Sequence, residues 1–433
     1  AVGLGNVWRF PAETQANGGA AFLLIYILCV LILGVPVMVA EFAIGRGGRS
    51  DAVGSFKNLG AKKGWWAVGG LAIFASYVIL CFYMVVAGWT LEYLINSMTG
   101  ALYEPVANVS GDHATFVAHM NDYIVTGNGP VINTFIMIVI NLGVLLIGVQ
   151  KGIERMSNML MPLLFVILLI LCGVSLTLPG ASEGLKFFLA PDFSALNGNV
   201  IINALGQAFF SLSLGMGILI TYSSYFPDST KLTRTAVTVS LLDLLVALLM
   251  GFVIFPAVMT FGLEGENLSG ATLVFVTLPE VFARMPFTQL WSVLFFLLLT
   301  VAALTSTISI AEVSVAFFRD RLHLSRTKAC LVVILPLFVF STICSLSQGS
   351  LSYIQIMGKN IFDFLDTFAT NLLLPIVAIG LCIYVGWFAP KNLLLDQMTN
   401  DGSMRSRMFR TMFLIIRYPA PILIAIVLVS AFI

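Results

Sequence analysis

The stretches "AVGLGNVWRFP" at residues 1–11 and "GQAFFSLSLGMGILITY" at residues 206–222 decide how this chain folds. The second is apolar at both ends and interrupted by Ser211, Ser213, Gly215 and Gly217. The first sets Gly3, Gly5, Asn6 and Arg9 where an apolar helix would otherwise stand. Gly weakens a helix, and Asn or Arg is expensive in lipid. Unwound backbone at mid-membrane survives only where protein or a polar ligand satisfies its N–H and C=O groups. Gly in a membrane helix can also serve close packing alone. Two such segments, each carrying polar groups and spaced five helices apart, favour a pair of broken helices.

Around them the chain is that of a membrane protein. Hydrophobic residues make up 59% and charged residues 10%, and the net charge is +1. Mean hydropathy is +1.00. A soluble chain carries about 25% charged residues, and a nucleic-acid partner would want a basic face, so none is expected. The six Cys sit singly in or beside apolar runs and read as packing residues. His113, His119 and His323 fall in loops, and neither a P-loop nor a GxSxG turn is present. These features argue against an enzyme.

A bilayer core takes about 20 apolar residues per helix. Besides the interrupted segment at 1–16, such runs occur at 20–44, 64–97, 131–150, 153–178, 198–226, 233–262, 288–318, 328–346, 361–387 and 406–432, about eleven spans in all. Lys and Arg gather in alternate loops: Arg46 to Lys63, Lys151 and Arg155, Lys231 and Arg234, Arg319 to Lys328, and Lys391 to Arg410. By the positive-inside rule those loops and the N-terminus are cytoplasmic. The expectation is an all-α, multi-pass protein of the cell membrane with the lipid bilayer as its surroundings.

Five spans separate the two breaks, and five is odd, so the second unit enters the membrane from the other side. That is an inverted repeat, and paired broken helices at matching positions point to a transporter's substrate site. The chain divides into a first unit at 1–178, a second at 198–387 and an extra helix at 406–432, within one transporter domain at 1–433.

The motifs "GLGNVWRFP", "NGGAAF", "EFAIGR", "KGIERM", "FFSLSLGMG" and "ALTSTISI" resemble the neurotransmitter:sodium symporter family over the whole chain. The resemblance implies the leucine-transporter fold, with two inverted five-helix repeats, alternating access, and two sodium ions carried in with substrate. It also places Ala1 inside the first break. The cytoplasmic half of that helix would precede Ala1, with a family Gly whose carbonyl helps bind the second sodium and the family's inner-gate Arg.

Sodium is hard and wants oxygen ligands. The resemblance implies a first site from the Ala1 carbonyl, Asn6, Ser211, Asp243 and the substrate carboxylate. An Asp inside "SLLDLLVALLMGF" costs about 3 kcal/mol unless it meets a partner. Animal relatives carry Asn there and need chloride, so Asp243 implies chloride independence. Ala302, Thr305 and Ser306 share a helix face at i, i+3 and i+4. The resemblance assigns them, with the Val2 carbonyl, to the second sodium. Without it, back-bonding of the hydroxyls to the preceding turn is an equal reading.

Free N–H groups around Leu4, Gly5 and Asn6 suit a carboxylate. Amine-transporting relatives have Asp at the position of Gly3, so Gly3 implies a substrate that brings its own carboxylate. Matching pocket positions are Ala1, Gly5, Tyr83, Phe210, Ser211, Ser213, Met216, Ser306 and Ile310. Tyr83 would hold the carboxylate and Phe210 cap the pocket. Met216 stands where the leucine-selective relative has Phe, and a flexible thioether accommodates varied ligands. The expected substrate is a hydrophobic or aromatic L-amino acid. Small aliphatic amino acids are the alternative, and an ion channel, with its repeated polar rings, is the rival class.

The resemblance pairs Arg9 with Asp366 as the outer gate and assigns Tyr225 and Asp320 to the inner one. Glu41 would satisfy free amides at the sixth-helix break. In "KGIERMSNMLMP", Gly152 and Pro162 bracket a polar stretch. Either it is a static proline kink, or it unwinds to admit water to the second sodium.

Overall fold

The computed structural model describes residues 3, 5–60, 64–104, 113–125, 128–148, 154–262, 270–403 and 408–430. A π-helical turn at Gly5–Arg9 leads into α1 (Phe10–Ala16). There follow α2 (Ala20–Gly48), α3 (Ala52–Asn58), α4 (Trp66–Thr99), α5 (His113–Val125), α6 (Asn128–Ile147), α7 (Arg155–Ser175) and α8 (Ala181–Leu189). The second half contains α9 (Gly198–Ser211), α10 (Ile218–Ser223), α11 (Leu232–Phe261), α12 (Leu273–Ala283) and α13 (Thr288–Arg321). The chain continues through α14 (Arg326–Leu346), α15 (Ile361–Phe388), α16 (Leu393–Thr399) and α17 (Phe409–Ser430). A two-stranded hairpin, β1 (Gln355–Ile356) and β2 (Lys359–Asn360), precedes α15.

Among the described residues nine helices are long and apolar enough to cross a membrane: α2, α4, α6, α7, α11, α13, α14, α15 and α17. With Gly5–Ala16, which winds without interruption from its π-turn into α1, and the broken pair α9/α10, they are the spans expected from hydropathy. Their outward faces are apolar: α7 exposes Leu163, Val166, Leu169 and Ile170. Such a stripe is stable where lipid is the solvent. The helices between spans (α3, α5, α8 and α12) were not legible as elements, because each is short and α5 and α8 are weakly apolar. Side-chain oxygens cap several starts: Asp51 accepts from Val53 and Gly54 N–H at 2.9 and 3.1 Å, and Asn197 from Val200 N–H at 3.1 Å.

The packing relates the two halves. The most extensive helix contact joins α4 to α13, the third span of each unit. The broken sixth helix packs on α2, the second span of the first unit. The broken first helix packs reciprocally on α11, the second span of the second unit. Buried apolar side chains form two clusters, one holding Val7, Met216 and Ile218, the other Phe10, Leu212 and Ile220. Both breaks therefore lie on the seam between the clusters, where polar backbone is enclosed by protein.

Candidate transport site

In the sixth helix, α9 stops at Ser211 and α10 starts at Ile218. Ser213, Gly215 and Gly217 between them have φ of +57°, +79° and +70°. This left-handed region suits Gly and strains Ser213. At Gly215 a Cβ would stand 2.7 Å from the Leu374 carbonyl oxygen, so no side chain fits. The freed groups find partners: Gly215 N–H donates to Glu41 Oε1 at 2.7 Å, and the Ser76 hydroxyl donates to the Met216 carbonyl.

The first break is held from the other unit. Asn6 Nδ2 donates to both the carbonyl and Oδ1 of Asp243 at 3.0 Å, and Gln207 Nε2 to the Gly5 carbonyl at 2.9 Å. Tyr26 OH donates to Asp243 Oδ2 at 3.1 Å, and Ser211 Oγ contacts Oδ1 and Oδ2 at 3.0 and 2.8 Å. Asn6, Glu41 and Asp243 are fully buried. Glu41 sits on α2 and Asp243 on α11, so each break is secured by a carboxylate from the second span of the opposite unit.

Between the breaks lies a cavity of about 350 Å³. The described members of the expected pocket, Gly5, Tyr83, Phe210, Ser211, Ser213, Met216, Ser306 and Ile310, all line it, as does Gly3. A Cβ on Gly3 would meet Ser306 Oγ at 2.5 Å and Tyr83 OH at 3.4 Å. The cavity continues past Thr305 and Ser309 to Ser157 and Met161 of α7 and Thr235 and Val239 of α11. A second cavity, about 300 Å³, lies on the other side of Phe210, bounded by Arg9, Glu13, Asn203 and Thr370. Phe210 is the wall between the two, and the Arg9 guanidinium stands 4.8 Å from its ring centroid.

Asn6, Ser211 and Asp243, expected as one sodium set, are thus brought together. Ala302, Thr305 and Ser306 share a face of α13, but Thr305 Oγ1 donates to the Val301 and Ala302 carbonyls, each at 3.1 Å. For Thr305 the back-bonded alternative is the one this conformation adopts. Ala1, Val2, Leu4 and Gly152 lie outside the described residues. Among the described residues no group of three or more His, Cys, Asp or Glu could hold a metal. The oxygen donors that do converge suit a hard monovalent cation rather than a transition metal.

Arg9 and Asp366 are electrostatic neighbours without a direct ion pair in this conformation. Among the described ion pairs none joins Arg9 to Asp366. Arg9 Nε lies 3.5 Å from Glu13 Oε1, its i+4 neighbour on the same helical face. On the opposite side, Tyr225 and Asp320 both meet Arg319: its Nη2 donates to Tyr225 OH at 3.4 Å and its Nε to Asp320 Oδ1 at 2.9 Å. Asp320 Oδ2 also accepts the Asp51 N–H at 3.1 Å. Burial raises the Asp51 carboxyl above its ordinary value, opposed by the Gly54 N–H and by Arg321.

Sequence reading missed the centre of this cluster. Glu312 is fully buried, accepts both Arg326 Nη1 and Nη2 at 2.7 and 2.6 Å, and takes the Tyr225 hydroxyl at 3.2 Å. Its signal was present: an acidic residue inside the apolar run "SIAEVSVAFF" must have a partner. In α7, Pro162 lies inside a helix continuous from Arg155 to Ser175, so the polar stretch from 155 onward is wound here.

A largely apolar cavity with a few convergent polar groups, set at discontinuous membrane helices and walled differently on its two sides, is the construction of a secondary transporter. The chain matches the sodium:neurotransmitter symporter family over residues 1–109 and 113–433, and it belongs to that family. It is 36% identical over 431 residues to an uncharacterized sodium-dependent transporter, YhdH, of Bacillus subtilis, covering 99% of this chain and 94% of that one. It is 31% identical to a sodium-dependent serotonin transporter of Drosophila melanogaster, covering 90% of this chain and 67% of that protein. The structure of MhsT in complex with L-phenylalanine superposes with a TM-score of 0.90 at 41% identity, covering 100% of this chain and 96% of that one. The fold is therefore the leucine-transporter fold, and the family is one of sodium-coupled transporters, not enzymes.

Proposed function

We propose that this protein is a symporter that uses the sodium gradient to import hydrophobic and aromatic L-amino acids, without a requirement for chloride. The observation that carries the reading is the bare Gly3 beside Tyr83 and Ser306. With no acidic side chain there to pair with an amine, the substrate supplies the carboxylate. The N-terminal turn that begins at Gly5 and the Tyr83 hydroxyl receive it. Phe210, Met216 and Ile310 then enclose an apolar side chain. The bound phenylalanine of MhsT, a structure of this fold, supports the same substrate class.

Two sodium ions accompany the amino acid. The first binds among Asn6, Ser211 and Asp243 together with the Ala1 carbonyl and the substrate's own carboxylate, so ion and substrate each complete the other's site. The charge of Asp243 does in this reading what a halide does where that residue is Asn. The second binds at Ala302, Thr305 and Ser306 with the Val2 carbonyl, after Thr305 turns away from its own helix. Arg9, Asp366 and Phe210 close the outer path, while Tyr225 and Asp320 close the inner one, toward the cytoplasm.

Uptake by proteoliposomes, with a panel of labelled amino acids and an inward sodium gradient, tests the reading. Accumulation of Phe, Trp and Leu that persists in gluconate and stops in potassium is the expected result. Accumulation confined to Gly and Ala would replace the substrate class, and unsaturable flux would replace the transporter with a channel.

A further inference from the structure

Away from the transport path, α3, α4, α13 and α14 enclose a separate groove of about 690 Å³ that shares no lining residue with the substrate cavity. Its walls are apolar, and Trp66, Phe74 and Phe340 are each about half exposed, at 48%, 51% and 48%. It opens on the flank of the bundle that faces lipid. No acidic residue lines it, and its two charged members are both cationic, Lys57 and Arg321.

Among the described ion pairs Lys57 has no acidic partner, whereas Arg321 is paired with Asp51 behind the groove wall. Lys57 Nζ lies over the Trp66 ring, 5.5 Å from the centroid, so its stem runs along the apolar wall. Arg321 Nε is 3.5 Å from Asp51 Oδ2, which fixes the guanidinium, yet neither Nε nor Nη2 makes a hydrogen bond. The Ser314 hydroxyl, 2% exposed and lining the same groove, also has no hydrogen-bond partner. The groove therefore offers an oily slot with an exposed ammonium at Lys57 and, in its wall, the partly exposed Arg321 guanidinium that shares its charge with Asp51. Both cations stand at helix ends on the Lys/Arg-rich side, Lys57 in α3 and Arg321 closing α13, where anionic headgroups concentrate.

We infer that this groove is a binding site for one anionic phospholipid, with an acyl chain along Trp66, Phe74 and Phe340 and its phosphate between Lys57 and Arg321. A zwitterionic lipid would fill the slot equally well but would leave the cations without net gain. Each cation near a charged membrane surface contributes about 1 kcal/mol, about fivefold in affinity. The site should therefore select the anionic lipid by charge and retain it by shape.

Trp66 provides the reporter. The full chain is reconstituted in liposomes containing phosphatidylglycerol or phosphatidylcholine brominated on the acyl chain, at equal mole fraction, and tryptophan quenching is measured. The Trp66→Phe variant, subtracted, isolates the Trp66 signal. Stronger quenching of that signal by brominated phosphatidylglycerol, by about fivefold or more in apparent affinity, is expected. Lys57→Gln, at an exposed site, should lose about fivefold, and adding Arg321→Gln should erase the preference. Gly70→Leu, which fills the slot and leaves both charges, should remove the quenching itself. Equal quenching by the two lipids, or a preference that survives the double substitution, would reduce the groove to ordinary lipid contact. Inorganic phosphate that displaces the brominated lipid from an unfilled slot would identify a phosphate site and overturn the lipid reading.

Discussion

In the proposed reading, the hydrogen atom that Gly3 bears in place of a side chain sets the substrate class. A new carboxylate there would face the substrate's own within about 4 Å, a repulsion of ~4 kcal/mol at an effective dielectric of 20. Gly3→Asp is therefore expected to lower amino-acid uptake about a thousandfold, while Gly3→Ala loses far less because Ser306 Oγ can rotate away. Undiminished Leu or Trp uptake by Gly3→Asp would remove the case for a carboxylate-bearing substrate. Asp243 makes the complementary prediction. It receives Asn6, Tyr26 and Ser211 together, and Asn in its place supplies one acceptor oxygen and no charge. Asp243→Asn should transport weakly in gluconate and partly recover in chloride. A variant at full rate with no halide would show that this charge is not needed. Glu41 and Asp243 were legible in the sequence because a lone carboxylate in an apolar run must be paired. Glu312 obeys the same physics and was passed over, because the family motifs drew attention to Asp320 eight residues on.

Broken helices were legible as elements, since Gly and Ser interrupt apolar runs in a way no membrane span tolerates unaided. The eleven spans followed from length and hydropathy. What the sequence could not announce was the state of each element. Thr305 back-bonds, Arg9 lies between Glu13 and Asp366 with its direct ion pair to Glu13, and α7 is wound past its proline. Alternatives separated by a few kcal/mol leave no trace in composition. The α7 case is testable. Pro162 cannot donate to the Asn158 carbonyl, so this turn lacks one hydrogen bond already, while Ser157 and Met161 of the same turn line the main cavity. Unwinding there would lengthen the water path toward Thr305 and Ser306. A Cys replacing Asn158 should be labelled faster without sodium than with it. Pro162→Ala should slow labelling and transport several-fold and leave equilibrium substrate binding close to unchanged. Labelling indifferent to sodium would make Pro162 a static kink.

At the scale of the molecule, the two units grip each other through opposite breaks and through the α4–α13 contact. The inner cluster adds a lock, because the fully buried Glu312 meets the partly buried Arg326 and Tyr225. Removing one partner of a buried pair costs about 3–5 kcal/mol, whereas replacing both is far milder. Glu312→Gln alone should therefore lower the thermal midpoint of the purified protein clearly more than Glu312→Gln with Arg326→Met. Equal midpoints would make the pair dispensable for stability. The reciprocal grip also sets a timetable for biosynthesis. Asn6 and its Asp243 partner are 237 residues apart, so at about 5–20 residues per second the first break waits roughly 10–50 s for its carboxylate. Until α11 arrives, the nascent first unit holds an uncapped polar turn in the bilayer.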